Sequence, residues 1–269
     1  MIYSDTHAHL DFDSFDLDRN LVIQRAKDVG LRFILNIGID LEGAEKSIKL
    51  ARQYPGFIFA VIGIHPNYSS NFDPSVFRKL ETLAEEPEVV AIGEIGLDFY
   101  RDHASPEQQH IALEAQLELA ARLSLPIVVH ERSSAQELVP ILTGWQRALP
   151  ADHPLKSRPG VMHSYSASID YTQSLLESNF VFGIGGPVTY KNGKDKQALV
   201  SALPIESMLL ETDCPFLPPH PHRGKRNEPA YIPLIAQKIA EIRGMEVEDI
   251  GKQLTKNAGY LFNLDQILK

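Results

Sequence analysis

The chain has 269 residues, 43% hydrophobic and 23% charged, so it can bury a large core without a stapling disulfide. A net charge of −9 argues against a generally basic nucleic-acid-binding surface, although bound divalent ions and a local basic loop can still supply a positive field. The single cysteine, Cys214, excludes an intramolecular disulfide framework, and no basic leader or long apolar stretch is present, so a cytoplasmic, unprocessed protein that does not meet a membrane is expected.

Short apolar, β-branched runs alternate along the chain with helix-period stretches, the pattern of βαβ units and a parallel sheet. In order the strand-like runs are "MIYSDTH", "RFILNIGI", "FIFAVIGIH", "VVAIGEIG", "PIVVHE", "GVMHSY", "FVFGIGG" and "MLLETD". Helices are predicted over 16–30, 41–54, 73–86, 106–124, 134–148, 168–178, 194–203 and 229–243, with a last one over about 246–262. The clearest is "SPEQQHIALEAQLELAARLSL", where Ser105 can cap the helix and Pro106 takes its first position. The pattern predicts a (β/α)8 TIM barrel, one domain spanning 1–269. An open doubly wound sheet is the alternative, but the first βα loop, "HAHLDFDSFDLD", lacks a glycine-rich dinucleotide fingerprint.

The ends of these strands are unusual. His7 and His9 close the first, Glu94 the fourth, His130 the fifth, His163 the sixth and Asp213 the eighth. In a barrel all six fall on the C-terminal face, and alternation aims Asp5, His7 and His9 the same way. An unpaired ionisable group at the end of a buried strand costs several kcal/mol or shifts its pKa, so six on one rim imply a shared partner. Four imidazoles and two carboxylates suit Zn²⁺, Mn²⁺, Ni²⁺ or Fe²⁺ better than Mg²⁺ alone. Six ligands exceed one tetrahedral site, which predicts two divalent ions with Glu94 as the central bridge. Asp5, deeper in its strand, is expected to support the ligands from behind.

The stretches "DTHAHLD", "GIHP", "IGEIGLDFYRD", "PIVVHER", "GVMHSYSAS", "LLETDCPFL", "RGKRNEP" and "LTKNAGYLF" span residues 5 to 262. Together and in this order they resemble the TatD-type metal-dependent deoxyribonucleases of the amidohydrolase superfamily. The resemblance implies a TIM barrel with a binuclear site, in which His7 and His9 hold one metal, His130 and His163 the second, and Glu94 bridges. Asp213 is implied as a further ligand or as the base that deprotonates the attacking water. The implied activity is hydrolysis of DNA phosphodiesters, as an endonuclease or, the preferred reading, as a 3′-5′ exonuclease on single-stranded DNA or 3′ ends. The chain departs from the family pattern after His130, where Arg132 is followed by Ser133 and Ser134, in "HSYSAS", and at Cys214. None of these is an expected ligand, so they bear on substrate preference.

The residues support the same chemistry. Two cations lower the pKa of a water they share from ~16 towards ~7 and draw charge from phosphoryl oxygens. A carboxylate such as Asp213 can take the proton, and no serine or cysteine nucleophile is called for. Expected substrate contacts are His65, Arg132 and, in the loop "PPHPHRGKRNEP", Arg223, Lys225 and Arg226, which would hold the phosphate backbone. Tyr100 and Tyr165 could stack on bases, though packing is the simpler role, and His103, His110 and His153 are given none. No obligate protein partner is implied. Two rivals stand: the same site acting on an amide, ester or lactone, and a metal-binding barrel without catalysis.

Overall fold

The structure, a computed structural model, describes residues 1–165 and 169–268. Residues 166–168, which hold the end of "GVMHSYSAS" and the first residue of the predicted sixth helix, lie outside the described residues, as does Lys269. Eight parallel strands pair in chain order: β1 (Tyr3–Ala8), β2 (Leu31–Gly38), β3 (Ile58–Ile62), β4 (Val89–Asp98), β5 (Ile127–Arg132), β6 (Gly160–Met162), β7 (Val181–Ile184) and β8 (Met208–Leu210). Helices alternate with them: α1 (Arg19–Asp28), α2 (Leu41–Gln53), α3 (Pro74–Ala84), α4 (Pro106–Leu123), α5 (Ala135–Ala148), α6 (Ile169–Glu177), α7 (Lys194–Ala202) and α8 (Ile232–Arg243), followed by α9 (Val247–Leu261). The predicted (β/α)8 order is therefore the observed one, with helix ends displaced by no more than three residues.

Local chemistry starts these helices where the sequence does. The Ser105 hydroxyl accepts from the Gln108 N–H and the Gln108 side chain accepts from the Ser105 N–H, a reciprocal cap reinforced by Pro106. Asp40 and Asp73 accept from the first free N–H groups of α2 and α3.

Alternate strand residues divide between two apolar layers. Leu35, Val61, Ala91, Val128, Val161 and Leu209 share a cluster inside the barrel, closed at its base by Ala258, Leu261 and Phe262. Their neighbours, such as Ile34, Ile62, Ile92 and Val129, pack outward against the helices. Among the described residues four register shifts interrupt the ladders, and two of them bear on the rim: the β4–β5 register slips between Gly93 and Ile95, and the β1–β2 register slips between Asp5 and Ala8. Each of these two falls where a proposed ligand sits, so Glu94 and His7 leave the regular pleat.

The last seam closes beyond the strand ends. β8 stops at Leu210, and the barrel is completed by a bridge between Ala8 and Cys214, with Asp213 N–H donating to His7 O at 2.8 Å and His9 N–H to Cys214 O at 2.9 Å. Asp5 is fully buried beneath this seam and accepts from the Thr212 N–H at 2.9 Å, the Thr212 hydroxyl at 2.6 Å and the His7 N–H at 3.2 Å. No helix among the described residues is long and apolar enough to cross a membrane.

Candidate metal centre and active site

At the C-terminal mouth of the barrel lies a cleft of about 440 Å³, and His9, His65, Glu94, His130, His163 and Asp213 all line it. Glu94 stands at its centre. Its Oε2 is 3.3 Å from His7 Nε2, while Oε1 is 2.8 Å from His130 Nδ1 and 3.7 Å from His65 Nε2. One carboxylate thus presents a separate oxygen to each of two imidazole groups. The groups His7–His9–Glu94 and His65–Glu94–His130 each bring their ligand atoms within 4.8 Å of one another. Gly96, at φ 147°, lets β4 pass close to β5 here, since a Cβ at that position would lie 1.9 Å from the His130 carbonyl oxygen.

Asp213 follows β8 in a left-handed turn, φ 58°, which a short polar side chain tolerates. Its Oδ1 lies 3.5 Å from His9 Nε2 and 3.9 Å from both His7 Nε2 and His163 Nε2. Burial works against its charge, yet the surrounding imidazoles, His163 foremost, hold this carboxyl below the usual range. It is an ionised acceptor facing the cleft.

Backbone contacts give two histidines opposite tautomers. His9 Nδ1 donates to the Ile37 carbonyl at 3.0 Å, leaving the lone pair of the neutral ring on Nε2, the orientation of a metal ligand. His65 Nδ1 accepts from the Asn67 N–H at 3.1 Å, so the proton of the neutral ring sits on Nε2 and faces the cleft as a donor. Burial lowers His65 to about 3 against the pull of Glu94, which keeps that ring neutral.

The site fits a divalent cation by its donor set. His7 Nε2 and His9 Nε2 point at each other 3.2 Å apart, with Glu94 and Asp213 oxygens alongside. His7 Nδ1, buried, has no hydrogen-bond partner among the described residues. Facing nitrogens beside carboxylate oxygens are what a cation of the Zn²⁺ or Mn²⁺ type accepts.

The two rings expected to share the second ion have different neighbours. His130 assembles with Glu94 and His65, whereas His163 stacks on His7 at 3.5 Å between ring centroids and stands beside Asp213. Two carboxylates that sequence reasoning passed over join these rings. Asp98 Oδ2 is 3.2 Å from His130 Nε2, and Glu211 Oε1 is 3.2 Å from His163 Nδ1, without an aligned hydrogen bond, while also accepting from the Ser164 N–H at 2.7 Å. Both lay in view, Asp98 in "GLDFYRD", four residues past Glu94, and Glu211 in "LLETD", two before Asp213. His163 is pushed up to about 10: burial opposes its charge, but Glu211 and Asp213 outweigh it.

The expected substrate contacts separate. His65 and Arg132 line the cleft, and so do Arg101 and His103, the latter given no role from sequence. Arg223 lies over the Tyr190 ring at 4.3 Å, and neither it nor the exposed Lys225 is part of the lining. Arg226 must be corrected: its guanidinium makes a bidentate pair with Asp18 at 2.7 and 2.8 Å, so "RGKRNEP" is a brace here. In the same segment Asn227 donates to the Thr212 and Phe216 carbonyls, fixing the loop that carries Asp213. Tyr165 is buried against Phe182, which excludes it from base stacking.

Comparisons with known proteins agree with this geometry. The sequence profile described as TatD related DNase matches residues 4–263. The metal-dependent hydrolase YabD of Bacillus subtilis is 36% identical over 97% of this chain and 99% of its own. The 3′-5′ ssDNA/RNA exonuclease TatD of Erwinia billingiae is 37% identical over 97% and 98%. The crystal structure of YJJV, a TatD homologue from Escherichia coli K12, superposes with a TM-score of 0.88 at 31% identity, covering 97% of this chain and 98% of that one. With the eight-stranded barrel and a rim able to hold metal, these matches establish that the chain belongs to the TatD-related DNase family of metal-dependent hydrolases.

Proposed function

We propose that the protein is a two-metal deoxyribonuclease that removes nucleotides from the 3′ ends of single-stranded DNA in the cytoplasm. The observation that carries the reading is Glu94, whose two carboxylate oxygens face two separate imidazole groups on the floor of one cleft. His7 and His9 would hold one ion and His130 and His163 the other, with Glu94 shared. Divalent ions held there would lower the pKa of a water and draw charge from the phosphoryl oxygens.

The chain's own groups do the rest. Asp213 Oδ1, ionised and central to three imidazoles, accepts the proton of the attacking water. His65 Nε2–H donates to the substrate, and Arg132 pairs with a phosphate. Asp98 steadies His130, and Asp5 with Thr212 sets the turn from which Asp213 projects. Burial of Cys214 pushes its thiol well above the usual value, which fits a packing role.

The test is cleavage of 5′-labelled and 3′-labelled oligonucleotides with Mg²⁺, Mn²⁺ or Zn²⁺. A ladder descending from the 3′ end is expected, and scattered cuts would make the enzyme an endonuclease. Turnover of a lactone, ester or amide panel with no phosphodiester cleaved under any metal overturns the nuclease reading. Binding of metal without turnover of either class would leave a silent metal-binding barrel.

A further inference from the structure

We propose that the two unlike walls of the cleft read two successive parts of a DNA strand: Phe12 and Phe216 stack the 3′-terminal base, while Arg101 and Arg132 hold the phosphate one step to the 5′ side of the scissile bond. This rests on the nuclease reading and adds how the strand lies.

The aromatic wall rises over the β8–β1 seam. Phe12 lies nearly parallel to His9, 4.8 Å between centroids, and Phe216 meets Phe12 at 78° and 6.1 Å, so the rings form a corner beside the proposed ligands. Phe216 is 50% exposed, a large apolar face left open in a cleft. It is nonetheless firmly mounted. Its N–H donates to Asp213 O at 2.8 Å, and the Asn227 side chain donates to its carbonyl at 2.6 Å.

The opposite wall is cationic. The Arg132 guanidinium lies 3.9 Å above the ring of Tyr100, itself 62% exposed, and Arg101 stands 5.7 Å from the same ring. Stacking occupies the face of the Arg132 guanidinium and leaves its N–H edge open to a phosphate. Neither arginine makes an ion pair among the described residues, so both charges stay available in the cleft, unlike that of Arg226. Asp98, beside His130, accepts from the Tyr100 and Arg101 N–H groups at 3.0 Å each, tying this wall to the floor.

The asymmetry sets the direction. A strand end has no further phosphate to place, which suits the wall without cations. A continuing strand carries one charge per nucleotide, which suits the wall with two guanidinium groups.

The experiment uses the full-length protein, with two substrate pairs measured in each variant. The pair TpT and pTpT differs by a phosphate on the 5′ side. A thymidine trimer and its analogue with an abasic 3′ residue differ by the terminal base. In the unmodified protein each added group raises kcat/KM about tenfold. Arg101→Ala and Arg132→Ala bring the phosphate ratio towards one and leave the base ratio. Phe12→Ala and Phe216→Ala do the converse, and Phe216→Trp restores the base ratio. Affinities of fluorescein-labelled versions in EDTA follow the same pattern without turnover. Because each ratio is internal to one variant, loss of folded protein cancels.

Ratios that no wall variant moves, or that move with the wrong wall, overturn the assignment. Cleavage of oligonucleotides with both ratios at one in the unmodified protein overturns the assignment and leaves the nuclease reading standing. No cleavage of any phosphodiester, bis(p-nitrophenyl) phosphate included, under any metal overturns both.

Discussion

On the β4–β5 side of the cleft floor, His130 lies between two carboxylates, 2.8 Å from Glu94 and 3.2 Å from Asp98, and is pushed up to about 9 by these partners despite its burial. On the β8–β1 side, His7 has another imidazole at 3.2 Å and a third stacked at 3.5 Å, and burial with the neighbouring His163 charge holds it below the ordinary value. One half is already a set of acid–base pairs. The other also has carboxylates, Glu94 3.3 Å from His7 and Asp213 3.5 Å from His9, but it sets two imidazole nitrogens against each other between them, a donor set that a cation would complete. On this contrast, metal is expected to stabilise the seam more than the β4–β5 half.

The strongest way to break this contrast is metal removal. Dialysis against EDTA is expected to abolish phosphodiester hydrolysis and lower the melting temperature, with both restored by Mn²⁺ or Zn²⁺. At 100 times its Kd a single ion adds about 2.7 kcal/mol, or several degrees for a chain of this length. An unchanged melting curve would mean the seam does not need its cation.

Asp213→Asn comes next, with a loss of about 10²–10⁴ in kcat, read by single-turnover cleavage. Metal content measured on the same sample sharpens its role: full occupancy marks a base, and a missing equivalent marks a ligand. His9→Ala and Asp98→Asn then test the two halves against each other. His9→Ala should remove one metal equivalent, whereas Asp98→Asn should keep both ions and weaken affinity or activity about 10–100-fold. Equal metal loss in the two variants would erase the contrast. The smallest effect is expected from Thr212→Val, which deprives buried Asp5 of its 2.6 Å hydroxyl donor and costs about 1–3 kcal/mol of stability in a denaturant titration.

Much of this site was legible along the chain because barrel topology maps strand ends onto one rim. His7, His9, Glu94, His130, His163 and Asp213 needed only the alternation of strands and helices to be brought together. Asp98 and Glu211 escaped because one acid had already been assigned to each of their strands, whereas β4 runs on past Glu94 to Asp98 and Glu211 precedes Asp213. Arg226 misled for the opposite reason. A basic loop beside a metal rim reads as a phosphate contact until folding brings it against Asp18, a residue 208 positions away.

The sequence by itself determined the barrel, the rim and the types of donor on it, since these follow from periodicity, helix caps and strand-end chemistry, all local properties. Only the tertiary structure decided which imidazole faces which oxygen. That choice depends on register slips at Asp5–Ala8 and Gly93–Ile95, which turn side chains out of the expected pleat. It depends equally on two backbone partners far along the chain or across a turn: Ile37 O makes His9 a lone-pair donor, and Asn67 N–H makes His65 a proton donor. The register and the His9 tautomer are set by contacts between segments, and no single segment carries them; the His65 tautomer is set within its own turn.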